Sequence, residues 1–146
     1  MKKKGGWLIL CVIMSGMVAS FAAGHCEIPC GIYDDKLRVQ LISEHITTIE
    51  KSMNQIVKLG QEVPVNHNQL ARWITNKENH AGKVQHIVSQ YFMTQRLKVN
   101  TEKYAEKLSL LHRMLVSAMK SKQTVDLGHI QNFRKLLKDF NALYFN

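Results

Sequence analysis

The chain has 146 residues, 45% of them hydrophobic, with only two prolines and eight glycines. This composition excludes a loop-rich, disordered or low-complexity protein and predicts one globular domain. The formal net charge is +9, but no basic stripe interleaved with aromatic residues accompanies it, so no nucleic-acid partner is expected.

The first 24 residues resemble a secretory signal peptide in the order of their basic, apolar and small-residue regions. Lysines stand at positions 2–4, an apolar run covers 7–21, and small residues occupy 22–24, which is the order that signal peptidase recognises. The apolar run is shorter than the ~20 residues of a membrane-spanning helix, which disfavours the alternative of an uncleaved anchor. We expect residues 1–24 to be removed, although cleavage after Ala22 also fits. The mature protein is then exported, periplasmic or secreted, and has no membrane partner.

The cysteines are concentrated at the new N-terminus. Cys11 leaves with the signal peptide, so Cys26 and Cys30 are the two that remain. Export implies an oxidising compartment, in which two cysteines are normally interpreted as a disulfide. A bridge between these two would close a very small loop and join no distant segments. Their position therefore favours a chemical role.

A chain that begins at His25 offers a compact set of metal donors. The α-amine of His25 and the deprotonated amide of Cys26 close a five-membered chelate ring, and that amide closes another with the Cys26 thiolate. Cys30 can complete an N2S2 plane, with the His25 imidazole as a possible fifth ligand. Planar nitrogen and sulfur ligation favours nickel(II) or copper(II) over tetrahedral zinc. Pro29 and Gly31 suit a tight turn around the ion.

Apolar residues after Asp35 recur at steps of three and four, which predicts helices. The four runs are Ile42, Ile46, Ile49, Met53 and Ile56; Leu70, Ile74, Ala81, Val84, Val88 and Tyr91; Tyr104, Leu108, Leu111, Leu115 and Ala118; and Ile130, Phe133, Leu137, Phe140 and Tyr144. Gly60 and Pro64 end the first run, and a polar gap surrounds Lys77 in the second. Residues 120–123 are interpreted as a polar loop. The expected fold is all-α, an up-down-up-down four-helix bundle over about 35–146 behind an irregular N-terminal hook at 25–33.

The histidines beyond His25 show no metal-binding pattern. No two of them have the i, i+4 spacing of a helix-borne metal site. We interpret them singly, as surface or partly buried side chains. They are His45, His67, His80, His86, His112 and His129.

The hook resembles the metal-binding N-terminus of the nickel superoxide dismutases, whose mature chain begins His-Cys-x-x-Pro-Cys-Gly-x-Tyr. The matching residues are His25, Cys26, Pro29, Cys30, Gly31 and Tyr33. The segments 47–53 and 89–96 also look like helical segments of that family. The resemblance covers the mature chain, closely at the hook and loosely elsewhere.

The resemblance implies an enzyme that converts superoxide into dioxygen and hydrogen peroxide by Ni(II)/Ni(III) cycling. It implies one nickel ion per subunit of a homohexamer, with His25, Cys26 and Cys30 as ligands, and it places Tyr33 at the mouth of the site as a catalytic residue. A carboxylate and an arginine support the axial histidine in the family. Neither can be assigned here: the residues in plausible regions are Gln40, Glu44 and His80.

Two other functions fit parts of the pattern. A secreted carrier of nickel or copper explains the donors of the hook but has no use for Tyr33. A helical interaction protein with a Cys26–Cys30 disulfide explains the cysteines and leaves His25 and Gly31 without a role. The enzyme accounts for all of these residues.

Overall fold

The computed structural model describes residues 32–146, of which Tyr33–Asn146 form one compact unit. The expected signal peptide at 1–24 and the hook as far as Gly31 lie outside the described residues. The described part is all-α and contains no strand, as expected. Its elements are α1 (Asp35–Gly60), α2 (His67–His86), a π-helical segment that continues α2 (Ile87–Arg96), α3 (Tyr104–Gln123) and α4 (Leu127–Phe145).

Side-chain contacts give the direction of α1 against α2. Asp35 at the start of α1 contacts Arg96 at the end of the π-helical segment. Further along α1, Ser52 accepts a hydrogen bond from Asn76 in the first half of α2. Residues later in α1 therefore contact residues earlier in the segment formed by α2 and its π-helical continuation, so the two helices are antiparallel.

The same test shows that α1 and α4 are antiparallel. Asp35 contacts Tyr144 near the end of α4, whereas Glu50 pairs with Arg134 earlier in that helix. Helices adjacent in sequence pack together, and α4 closes the ring against α1. The connections at 61–66, 97–103 and 124–126 are short. The up-down-up-down bundle is confirmed.

The predicted apolar faces supply most of the core, because residues three or four apart share one side of a helix. Core residues with no exposed surface include Ile42, Ile46, Ile49, Met53, Ala81, Val84, Val88, Leu111, Ala118, Ile130, Phe133 and Phe140. Two expectations differ. Ile74 is 41% exposed, and Met114 rather than the half-buried Leu115 is fully enclosed in α3.

The polar gap in α2 is filled by Lys77, which is only 4% exposed. Its ammonium group donates to the backbone oxygens of Ser121, at 2.7 Å, and of Lys122, and to the carboxylate of Glu78 at 3.0 Å. The last carbonyls of a helix have no partner within the helix, and a cation is favourable there. Lys77 therefore caps α3 from the neighbouring helix.

The interpretation of residues 120–123 as a loop was wrong, because α3 continues to Gln123. Ser121 is fully buried, and its hydroxyl donates to the Ser117 carbonyl one turn earlier. The two lysines of this turn led to its interpretation as a solvent-exposed loop. Lys77 donates hydrogen bonds to the carbonyls of Ser121 and Lys122, at the end of the helix.

The start of α1 is fixed by a local cap. The Asp34 carboxylate accepts the backbone N–H of Leu37 at 2.9 Å, which is the usual N-cap bond. Tyr33 therefore immediately precedes a helix whose first turn is well defined. Within the described residues, no helix has both the length and the apolar character needed to cross a membrane.

We expect Lys77→Met to lower the free energy of unfolding by about 2 kcal/mol, because two helix-end carbonyls lose their buried donor. The measurement is urea unfolding followed by circular dichroism. Lys138→Met, on the exposed face of α4, is the matched control and should change stability by less than about 0.5 kcal/mol. Equal effects of the two substitutions would contradict the capping role.

Candidate functional site

Tyr33 is the last residue of the hook, two positions before the start of α1, and it packs against charged and aromatic groups. The guanidinium carbon of Arg96 is 4.4 Å from the centre of the Tyr33 ring. Tyr91 meets the same ring edge-on, with 5.9 Å between ring centres. Tyr33 is nevertheless 37% exposed. Its ring is therefore held in place while part of it stays open to solvent.

The Arg96 guanidinium that covers Tyr33 is fixed by Asp35. Arg96 Nε lies 2.8 Å from Oδ1 and 3.2 Å from Oδ2 of Asp35, and Nη2 lies 2.9 Å from Oδ2. The hydroxyl of Tyr91 donates to Oδ1 at 2.5 Å and that of Tyr144 to Oδ2 at 2.9 Å. We call these four residues the Asp35 cluster. Bidentate arginine–carboxylate pairs are among the strongest and most directional polar contacts in proteins.

The π-helical winding of Ile87–Arg96 explains why Tyr91 and Arg96 both reach Asp35. A π-helix bonds residues five apart, which brings them close to the same face, whereas in an α-helix they point in quite different directions. The side chains follow the same spacing, because the Thr94 hydroxyl donates to the Ser89 carbonyl at 2.7 Å. This local change of winding therefore builds the Asp35 cluster.

Burial alone would raise the pKa of Asp35, but hydrogen bonds from Arg96, Tyr91 and Tyr144, together with the charge of Arg96, lower it below 3.8. Burial and the hydrogen bond to Asp35 raise the pKa of Tyr144 to about 12 and also raise that of Tyr91. The bond to Asp35 raises the pKa of Arg96. At neutral pH the cluster therefore holds one anion, one cation and two neutral phenols.

A second arginine lies beside the cluster. The guanidinium carbon of Arg38, in α1, is 5.1 Å from the centre of the Tyr91 ring. Asp35 pairs with Arg96, whereas Arg38 adds a further positive charge beside Tyr91 and Asp34 adds a negative charge at the start of α1.

The other expected site residues do not come together. His25, Cys26 and Cys30 lie outside the described residues. Gln40 donates to Glu44 at 3.1 Å within α1, and His80 of α2 pairs with His45 rather than with either of them. Among residues 32–146, no group of three or more histidine, cysteine, aspartate or glutamate residues could hold a metal ion.

Sequence reasoning missed the Asp35 cluster. Its members come from the first turn of α1, the π-helical segment and the end of α4, so no local spacing connects them. The one signal was the family-like segment 89–96, which contains Tyr91 and Arg96. It indicated a region without giving either residue a role.

One comparison with known proteins identifies a relationship. The family model described as nickel-containing superoxide dismutase matches residues 20–146. The match covers the hook, Tyr33 and all four helices. Neither a curated protein nor a solved structure matches the chain.

We expect Asp35→Asn to reduce the free energy of unfolding at neutral pH by about 2 to 3 kcal/mol, because Arg96 loses its counter-charge. The folded-state pKa of Asp35 is lowered, so its contribution is complete above about pH 4 and is lost as the pH falls through the folded-state value. The difference between variant and parent in urea unfolding should therefore shrink in acid. Asp139→Asn, on the exposed face of α4, is the control. A difference that is constant with pH would contradict this account.

Proposed function

The chain belongs to the nickel-containing superoxide dismutase family, and from this membership we propose that its mature N-terminus holds the metal through His25, Cys26 and Cys30. The protein is an oxidoreductase with a nickel cofactor. It converts two superoxide anions and two protons into one dioxygen and one hydrogen peroxide. The observation that carries the proposal is the family match over residues 20–146, which includes every residue of the hook motif.

The donor set of the hook fits nickel. The residues that would hold the metal are His25, through its α-amine and its imidazole, Cys26, through its amide nitrogen and thiolate, and Cys30, through its thiolate. Thiolate and amidate ligands are strong electron donors, and planar N,S coordination suits nickel(II). Nickel held by these donors would supply one-electron redox chemistry at a potential suited to both the oxidation and the reduction of superoxide.

Tyr33 is the proposed catalytic residue outside the ligand set. It follows Cys30 by three positions, and its ring is held between Arg96 and Tyr91. A phenol in this setting can orient a small anion or water by hydrogen bonding. The role of the Asp35 cluster is to fix the side chains against which Tyr33 packs.

Export and assembly complete the proposal. The basic, apolar and small-residue order at 1–24 supports removal of a signal peptide after Gly24. The homohexamer, with one nickel per subunit, rests on the family resemblance. The family match gives no support to the alternatives of a metal carrier or a disulfide-containing interaction protein.

The position of the first residue tests the ligand assignment. We expect proteins that begin at His25 to bind nickel and remove superoxide, whereas proteins that begin at Ala23 or Gly24 should fold and be inactive. With Gly24 present, the α-amine of His25 becomes an amide and the chelate ring at Cys26 changes. The three forms are made from cleavable fusions, loaded with nickel and assayed for activity and metal content.

The control for this experiment is Cys26→Ser in the form that begins at His25. It should lose nickel and keep its helical circular dichroism, because the bundle begins at Asp35. Equal activity of the three starting positions would overturn the ligand role of the amine. Loss of helices in Cys26→Ser would make this cysteine structural instead.

We expect Tyr33→Phe to retain nickel and to reduce kcat by roughly 10- to 100-fold, because only the hydroxyl that positions the anion is removed. The measurement is pulse-radiolysis or stopped-flow kinetics with nickel content determined on the same sample. Loss of nickel in this variant, or unchanged turnover, would contradict the proposed role.

A further inference from the structure

A second basic region lies in a pocket of about 600 Å³ between α1 and α2. Its wall contains the side chains of Arg38, His45, His80, Lys83 and His86, and none of its described lining residues is a carboxylate. A concave surface with basic groups and no acidic ones concentrates anions.

Two histidines form the floor of the pocket. Nδ1 of His45 lies 3.1 Å from Nδ1 of His80, with the ring planes at 78°. Burial lowers the pKa of both imidazoles, and so does the charge of Lys83; His80 further lowers the pKa of His45. Both rings are therefore neutral at neutral pH, with one Nδ1–H donating to the other Nδ1.

This histidine pair can accept one proton without losing its hydrogen bond. In the neutral pair the donor ring carries its proton on Nδ1, so its Nε2 is free to take another. A second added proton would have to go on the accepting Nδ1 and would break the bond. The charged or titratable groups that face the pair are Arg38 and Glu44 from α1 and Lys83 and His86 from α2.

Arg38 provides an unsatisfied donor beside the pair. Its Nε is buried and has no hydrogen-bond partner among the described atoms. The guanidinium stacks on Tyr91 and also lines the pocket. Buried polar groups in native proteins normally have a partner, and an oxygen acceptor in the pocket would supply one.

We propose that this pocket binds a small tetrahedral oxyanion of the phosphate or sulfate class. Such an anion brings acceptors for Arg38, Lys83 and an imidazole N–H, and its negative charge compensates for the missing carboxylates. Binding also favours uptake of one proton by the histidine pair. Affinity for the anion therefore increases as the pH falls from neutral towards about 6.

A divalent cation fits the same pocket less well. Two imidazole nitrogens on one tetrahedral zinc ion would be separated by about 3.3 to 3.4 Å, slightly more than the 3.1 Å between the two Nδ1 atoms. The ion would also lie near Arg38 and Lys83, and none of the described residues that line the pocket is a carboxylate that could offset their charges. Zinc is accordingly included in the test as the competing ligand.

The test is isothermal titration of the mature, nickel-loaded protein with inorganic phosphate and, separately, with sulfate, at about pH 7.5 and about pH 6. Chloride keeps the ionic strength constant. We expect saturable binding of both anions with Kd on the order of 1 mM. Phosphate changes its own charge between these two pH values and sulfate does not, so sulfate reports the pH dependence, and its Kd should be at least about threefold lower at the lower pH. In buffers of different ionisation enthalpy, sulfate binding should be accompanied by uptake of up to one proton for each anion bound.

Two substitutions and one control locate the site. Lys83→Gln and His45→Gln should each weaken phosphate binding by at least about fivefold. Arg113→Gln removes a cation from a different groove, between α3 and α4, which also contains Glu106 and Asp139, and should leave Kd within about twofold. Circular dichroism checks that each variant is folded, and NMR should show phosphate-dependent shifts of the His45 and His80 ring protons.

The proposal is overturned if phosphate and sulfate show no saturable binding. It is also overturned if the control weakens binding as much as the pocket variants do, or if zinc shifts the two histidines and phosphate does not. Nickel content and superoxide removal, measured on the same samples, report on the catalytic site separately. If the protein without pocket substitutions binds phosphate but neither holds nickel nor removes superoxide, the ligand assignment is wrong and the pocket proposal stands.

Discussion

The hydrogen-bonded carboxylate of Asp35 organises the end of the bundle at which the hook joins it. It accepts from Arg96 and Tyr91 of the π-helical segment and from Tyr144 of α4, so three elements meet at one side chain of α1. A half-buried carboxylate with this many donors remains ionised, and its hydrogen bonds hold the donor side chains in position. The position of Tyr33 depends on these hydrogen bonds, because Arg96 and Tyr91 both contact its ring.

The aromatic core extends this constraint into the bundle. Phe92 packs edge-on against Phe140 and Tyr144, with ring centres 5.1 and 5.5 Å apart. Tyr91 and Phe92 are neighbours in the π-helical segment, so one reaches the Asp35 cluster while the other enters the apolar core. The irregular winding thus links a polar site to the packing that stabilises the fold. A regular helix would not present Tyr91 and Arg96 to the same carboxylate.

The sequence predicted the helices well because helical periodicity is a local property. Steps of three and four placed Ile42, Phe133 and Phe140 in the core, where they are found. What it missed depends on partners distant in sequence. Lys77 appeared as a polar gap because its carbonyl partners belong to α3. His45 and His80 were interpreted singly because no spacing within one helix connects them, although antiparallel packing brings them within 3.1 Å.

The two parts of the candidate site differ in the same way. The proposed metal ligands form chelate rings between adjacent atoms of the chain, so a short motif suffices to predict nickel, and the family match supports that metal. The Asp35 cluster, which fixes the side chains that contact Tyr33, comes from three elements and required the structure. Arg38 is a further example of a role that only the structure shows, because it packs against Tyr91 and also lines the histidine pocket. Redox chemistry can thus be encoded locally, whereas the electrostatic surroundings of the substrate are a property of the folded bundle.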